Sequence, residues 1–468
     1  MLTASPDLKT LYDVAEWAIR LGALAVVPLR RSPAAARGWL LLIFFLPIVG
    51  LLLFLTIGSP KFPQWRKERF ARLRPYLARV DHDLGACSPD LGERAPMAAL
   101  ACTLGQMPAT GQNRVDLIDD YDAVVARLVA DIDAAQHCVH ILVYIFADDA
   151  VGQAVAGALG RAVRRGVECR VMFDAVGTHK WRRGTIALLE REGVAMREAL
   201  PFRLWRRTRR DMRNHRKLFV IDGRIGYAGS QNLVAKDFRP GVVNRELVAR
   251  VTGPVVTSMD AIVRGDWFLE TGDDPAAPPP IHTTDGGAIA QLLPSGPDYR
   301  MEGFETLLIW QLHQAREHVV MVTPYFIPDE DVLGAMRTAV ARGVTVDLVV
   351  SKVVDQWLVN LSQSSYYDEL LAAGVRVNLF RDYLLHAKNL CVDGHLAVVG
   401  SSNVDLRSFQ LNIEASLLLY DADSIAAVRA VQAGYLENAD RLDLARWRAR
   451  PWLRKMAENA ARLVNSLL

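Results

Sequence analysis

Cysteine is scarce in this 468-residue chain. Its five residues (Cys87, Cys102, Cys138, Cys169 and Cys391) are scattered, odd in number and free of C-x-x-C spacing. That excludes a disulfide framework and a cysteine-built zinc site, and suits a reducing compartment. An excess of one charge is also missing: 55 Lys and Arg against 52 Asp and Glu leave a net +3. No class of partner follows from bulk charge, so the placement of charges matters more than their sum. Apolar residues are not lacking, and a 51% share allows sizeable cores for two ordinary domains. Long uncharged apolar runs are few, and the clearest covers residues 39–57. As a helix it would reach about 28 Å, the thickness of a bilayer's hydrocarbon core, so a transmembrane helix is expected, with a tolerated kink at Pro47. Residues 11–29 are interrupted by Asp13, Glu16 and Arg20, and can either span or lie flat at the interface. Lys61, Arg66, Lys67, Arg69, Arg72, Arg74 and Arg79 follow, against Arg30, Arg31 and Arg37 between the two apolar stretches. The positive-inside rule then puts the rest of the chain on the cytoplasmic side of a membrane, with these cations drawing anionic lipid.

What the chain does have is one chemical phrase used twice. His215, Lys217 and Asp222 form H-x-K-x-x-x-x-D, and His386, Lys388 and Asp393 repeat it 171 positions later. Each is followed by Gly-Ser-x-Asn, first Gly229, Ser230, Gln231 and Asn232, then Gly400, Ser401, Ser402 and Asn403. One such pattern arises by accident in roughly a few per cent of chains this long. Two in register, with matched sequels, do not. The apolar residues after each lysine read as a strand, on which histidine and lysine, two apart, share a face. Each aspartate belongs to the catalytic motif but sits at an Asp-Gly hairpin step, so it is expected to brace the turn or a lysine rather than touch substrate. The glycines would let backbone approach a ligand closely.

Two imidazoles, two ammoniums, and hydroxyl and amide groups from Ser230, Asn232, Ser401 and Asn403 suit a phosphate diester. One histidine can attack phosphorus as neutral imidazole while the other protonates the departing alkoxide, and the two should titrate as a coupled pair. No metal or cofactor is required, because lysines fill the electrostatic role. Glu246 and Glu414 follow their Gly-Ser-x-Asn segments at similar distances. A carboxylate that fixes an imidazole tautomer is a recurrent device.

These strings resemble the phospholipase D superfamily, and the longer wording resembles its bacterial cardiolipin synthases. The second half carries most of the likeness: residues 293–297 (Leu-Pro-Ser-Gly-Pro), residues 323–329 (Thr-Pro-Tyr-Phe-Ile-Pro-Asp), and His386 onward through Asp405, Arg407, Ser408, Asn412 and Glu414. The resemblance implies one active site at the interface of two halves, built from the histidines, lysines, Ser and Asn residues, with the later glutamates orienting the histidines. It implies a membrane-embedded phosphatidyltransferase joining two phosphatidylglycerol molecules into cardiolipin through a phosphohistidine; we take His215 as nucleophile and His386 as general acid, while the symmetry of the two strings leaves the order of the two histidines open. Alternatives are hydrolysis of phospholipids, transfer to another alcohol, or, from a different class, a nuclease; nucleic acid is not an expected partner beside a membrane segment.

The expected fold is α/β: two repeated mixed-sheet sandwiches sharing one site behind the membrane region. The boundaries fall at 1–60 for the membrane region, 61–113 for a basic connecting segment, 114–270 and 288–468 for the repeats, and 271–287 for a Pro-, Asp- and Thr-rich linker. A basic, aromatic stretch at residues 202–207, with Arg209, Arg210 and Arg213, is read as facing lipid. Residues 362–367 should open a helix that either lines the site or packs its tyrosines in the core.

Overall fold

The computed structural model describes residues 8–31, 33–58, 62–201, 211–275, 280–299 and 301–463. The lipid-facing reading of residues 202–207, Arg209 and Arg210 lies outside them. Strands from both halves hydrogen-bond side by side in one mixed sheet. In the first half Cys138–Val143, Glu168–Asp174 and Ala195–Ala199 run parallel, linked by helices Ala150–Arg164 and Arg182–Arg191. Leu218–Ile221, Ile225–Gly229, Val248–Thr252 and Thr110–Ile118 continue antiparallel. The second half repeats the plan with His318–Val322, Thr345–Ser351 and Arg376–Phe380 parallel, then Asn389–Val392, Leu396–Gly400, Asn412–Leu419 and Ala288–Ser295 antiparallel. The halves meet where Thr110–Ile118 pairs antiparallel with Ala288–Ser295, Thr110 opposite Ala290.

The hairpins after the lysines form as their sequences require. Asp222 and Gly223 take φ of 53° and 63°, Asp393 and Gly394 φ of 48° and 71°, left-handed values that Asp tolerates and Gly prefers. Gly229 and Gly400 serve a different purpose from the one expected. A Cβ on Gly229 would stand 2.4 Å from the Leu247 carbonyl oxygen, and one on Gly400 would stand 2.8 Å from that of Ala415. The glycines admit the neighbouring strand, not a ligand.

The amino-terminal region departs furthest from expectation. It comprises α1 (Leu8–Arg30), α2 (Pro33–Phe45) and α3 (Pro47–Ile57). Among the described residues no helix is long and apolar enough to cross a membrane. The expected single span over residues 39–57 is broken at Leu46, whose φ of −132° and ψ of 74° leave the helical region ahead of Pro47. A residue before proline is pushed out of that region, and proline offers no N–H to continue the ladder. On one straight helix Trp39 and Phe54 would be about 22 Å apart, yet their ring centroids lie 5.4 Å apart. The run therefore folds back on itself.

The next helix, α4 (Gln64–Leu84), is no mere basic connector. Its Phe70, Leu73, Leu77, Val80 and Leu84 enter the core shared by the two halves. Arg66, expected to face lipid, is buried instead between Glu270 at 2.9 Å and Asp298 at 3.1 Å.

Candidate active site

Two short strands decide the geometry. Arg213–Asn214 leaves its own half and pairs with Asn412 and Ile413, while Leu384–Leu385 pairs with Asn244 and Arg245. The chain then continues with each histidine's own N–H bonded into the other half: His215 donates to the Ile413 carbonyl and His386 to that of Arg245, both at 2.8 Å. The imidazoles are consequently held by acids from the opposite repeat. His215 Nδ1 lies 3.0 Å from both oxygens of Glu414, and His386 Nδ1 lies 2.7 Å from Glu246. With Nδ1 occupied, Nε2 is the ring nitrogen left for chemistry. Both histidines enter the wall of one cavity of about 410 Å³ between the halves.

The lysines lie behind the histidines. Lys217 Nζ donates to the His215 carbonyl at 2.7 Å, and Lys388 Nζ to that of His386 at 2.6 Å. Burial, only partly offset by the glutamates, brings Lys217 down to about 7 and Lys388 to about 8, with Lys388 disfavouring the Lys217 ammonium and Arg239 that of Lys388. Burial likewise takes each imidazole down to about 4, against the pull of Glu414 on His215 and of Glu246 on His386. The site thus holds neutral imidazoles able to act as nucleophiles, with ammoniums that an entering phosphate anion would reinforce.

The Gly-Ser-x-Asn residues divide. Asn232 and Asn403 line the cavity. Ser230 and Ser401 do not reach it, contrary to their expected contact with phosphate. Ser401 Oγ donates to Glu414 at 2.5 Å and accepts from the Ala415 N–H, while Ser230 Oγ bridges the backbone of Leu247, the residue after Glu246. Ser401 fixes the acid that fixes His215, and Ser230 fixes the backbone beside Glu246. The carboxylates of Asp222 and Asp393, grouped with the catalytic residues by their motif, are also absent from the cavity wall. Asp222 accepts from the N–H groups of Gln136, His137 and Cys138, and Asp393 from those of Arg316, Glu317 and His318. They tie each hairpin to the start of the adjacent strand and contact neither lysine.

With the geometry in hand, comparison with known proteins is direct. A family model described as "Cardiolipin synthase, PLD-like domain" matches residues 128–267 and 308–433. Cardiolipin synthase A of Klebsiella pneumoniae is 34% identical over 487 aligned positions, which take in 98% of this chain and 100% of that protein. The chain belongs to the cardiolipin synthase family. Cardiolipin synthase A of Cronobacter sakazakii shows the same 34% identity and coverage. In fold, the chain resembles a phosphatidylserine synthase from Haemophilus influenzae (TM-score 0.57, 14% identity, 81% of this chain and 100% of that one). It also resembles a polyphosphate kinase from Porphyromonas gingivalis (TM-score 0.51, 16% identity, 71% and 49%).

Several cavity residues of this family member were not picked out as site residues from sequence. Tyr144 and Tyr325 follow equivalent strands and set their rings edge-on to His215 and His386, at 4.8 and 6.5 Å between centroids. Arg213, Arg239 and Arg407 bring three further cations into the wall. The two tyrosines give a usable signal, since each lies just past the end of the strand paired with a histidine-lysine strand. Tyr366 and Tyr367, whose role was open, pack in the core.

Proposed function

We propose that this chain is a phosphatidyltransferase that makes cardiolipin and glycerol from two molecules of phosphatidylglycerol. His215 Nε2 attacks the donor phosphorus. A phosphorus–nitrogen bond forms as the phosphorus–oxygen bond to glycerol breaks, and His386, which takes a proton from solvent at Nε2 as the anionic phosphate enters beside it, passes that proton to the departing alkoxide. His386 then takes the proton from a hydroxyl of the second lipid. That oxygen attacks phosphorus, and the bond to His215 breaks. Lys217, Lys388, Asn232 and Asn403 surround the charge that builds on the phosphoryl oxygens, without a metal or cofactor in any step. The observation carrying this reading is the crossed pairing: two imidazoles on one cavity, each held through Nδ1 by the opposite half's glutamate.

The amino-terminal helices fit a membrane seat that does not cross the bilayer. Leu41, Phe45, Leu46, Ile48, Leu52 and Leu55 all face outward from α2 and α3, each helix being shorter than the hydrocarbon thickness. A bacterial inner membrane, with the catalytic halves on its cytoplasmic face, suits such a seat and the exposed basic residues of α4.

Incubation of the purified protein with phosphatidylglycerol alone tests the reading. Cardiolipin with equimolar glycerol is expected. Phosphatidic acid would make it a phospholipase D-type hydrolase, and product only with another alcohol added would make it a transferase of different acceptor.

A further inference from the structure

Transfer to a lipid alcohol differs from hydrolysis in one electrostatic respect: the acceptor brings a second phosphate into the cavity, one glycerol away from the first. In the reading above, the two asparagines, with the lysines behind the histidines, serve the reacting phosphoryl group. Three arginines remain in the wall. Arg213 faces Asp174 at 3.5 Å, and that carboxylate is itself fixed by the N–H groups of Val176, Gly177 and Asn214. Arg407 donates to the Asp211 carbonyl at 2.7 Å.

Arg239 differs in what holds it. It comes from the first half and pairs with Asp355 of the second. Asp355 lies in the irregular segment between Thr345–Ser351 and the helix Trp357–Ala373, and no backbone N–H bond to its carboxylate is seen among the described residues. It also accepts from Tyr325 Oη at 2.6 Å, and Gln356 donates to the same hydroxyl at 3.0 Å. Tyr325 in turn sets its ring on His386. Arg239 is therefore on the His386 side, where the leaving alcohol departs and the acceptor must enter.

We propose that Arg239 is the seat of the acceptor lipid's phosphate, and that Asp355 occupies the guanidinium while that seat is empty. A guanidinium fork donates to carboxylate or phosphate oxygens with the same geometry, so an entering phosphate can take the place of Asp355. The carboxylate competes with the acceptor and makes entry selective for an anion. This rests on the cardiolipin reading above, because water or free glycerol has no phosphate to offer.

The test uses full-length protein, phosphatidylglycerol vesicles and isotope-labelled glycerol. Label entering phosphatidylglycerol reports transfer to a neutral alcohol, and cardiolipin reports transfer to an anionic one, from the same donor in the same tube. Arg239→Gln should lower the ratio of cardiolipin to exchange about tenfold or more, the worth of one charge-assisted hydrogen bond. Asp355→Asn should raise it. Partial misfolding would scale both reactions and leave the ratio alone. An unchanged ratio in Arg239→Gln, or a lowered one in Asp355→Asn, overturns the proposal while leaving the enzyme a cardiolipin synthase. Wild-type protein that exchanges glycerol yet forms no cardiolipin would instead defeat the acceptor reading, and this subsite with it.

Discussion

His215 and Glu414 stand 199 residues apart in the chain and 3.0 Å apart in the folded protein. The reciprocal contact joins His386 to Glu246. Neither repeat can orient its own histidine, so a half expressed alone would present an imidazole without its acid. Glu414→Gln should replace the acceptor-only carboxylate that fixes the His215 tautomer with an amide that can also donate to Nδ1, and cut turnover on the order of a hundredfold or more. Histidine-selective nitrogen NMR checks the crossing: the His215 ring signals should move and those of His386 should stay. Movement of His386 alone would contradict it.

The lysines give a pH dependence with a definite sign. Burial holds Lys217 at about 7 and Lys388 at about 8, and only the protonated forms attract an anion. Binding of sulfate, which does not titrate near neutrality, should weaken as pH rises from 7 to 9, by roughly tenfold per unit for each proton lost. Inhibition constants measured across that range check it, with a flat profile as the contrary result.

Asp222 and Asp393 are in the repeated motif without being in the site. Each accepts three backbone N–H groups at a hairpin whose Asp has positive φ. Asp222→Ala should therefore cost about 1–3 kcal/mol of stability by leaving donors unpaired, with KM for lipid little altered in the protein that remains folded. Thermal denaturation alongside steady-state kinetics separates this from a catalytic role.

Arg66 ties α4 to the catalytic halves. It is 1% exposed and paired with Glu270 and Asp298. Arg66→Leu would strand two buried carboxylates and should destabilise by about 3–5 kcal/mol. Urea unfolding should show a lower midpoint, whereas an exposed cation serving only to attract lipid would leave it unchanged.

The strands, hairpins and repeats could be read from sequence because they depend on local pattern. Alternation after Lys217 and Lys388, the Asp-Gly steps and the offset of 171 positions all survive without tertiary information. What escaped depends on distant strands meeting. The pairing of Arg213–Asn214 with Asn412 and Ile413 decides which glutamate serves which histidine, and no spacing encodes it. Ser401 looked like a phosphate ligand because the segment approaches the site, yet its hydroxyl turns to Glu414. The apolar run at residues 39–57 suggested one span by hydropathy alone, while the backbone restriction at Leu46-Pro47 and the contact of Trp39 with Phe54 folded it in two.

Covalent capture by a histidine is the central claim. Protein mixed with phosphatidylglycerol, quenched in alkali within a turnover and digested for mass spectrometry should yield a phosphatidyl adduct on the peptide carrying His215. The adduct should disappear in His215→Ala, which should also form no cardiolipin. An adduct on neither histidine, or cardiolipin made at near-normal rate by His215→Ala, would contradict the mechanism.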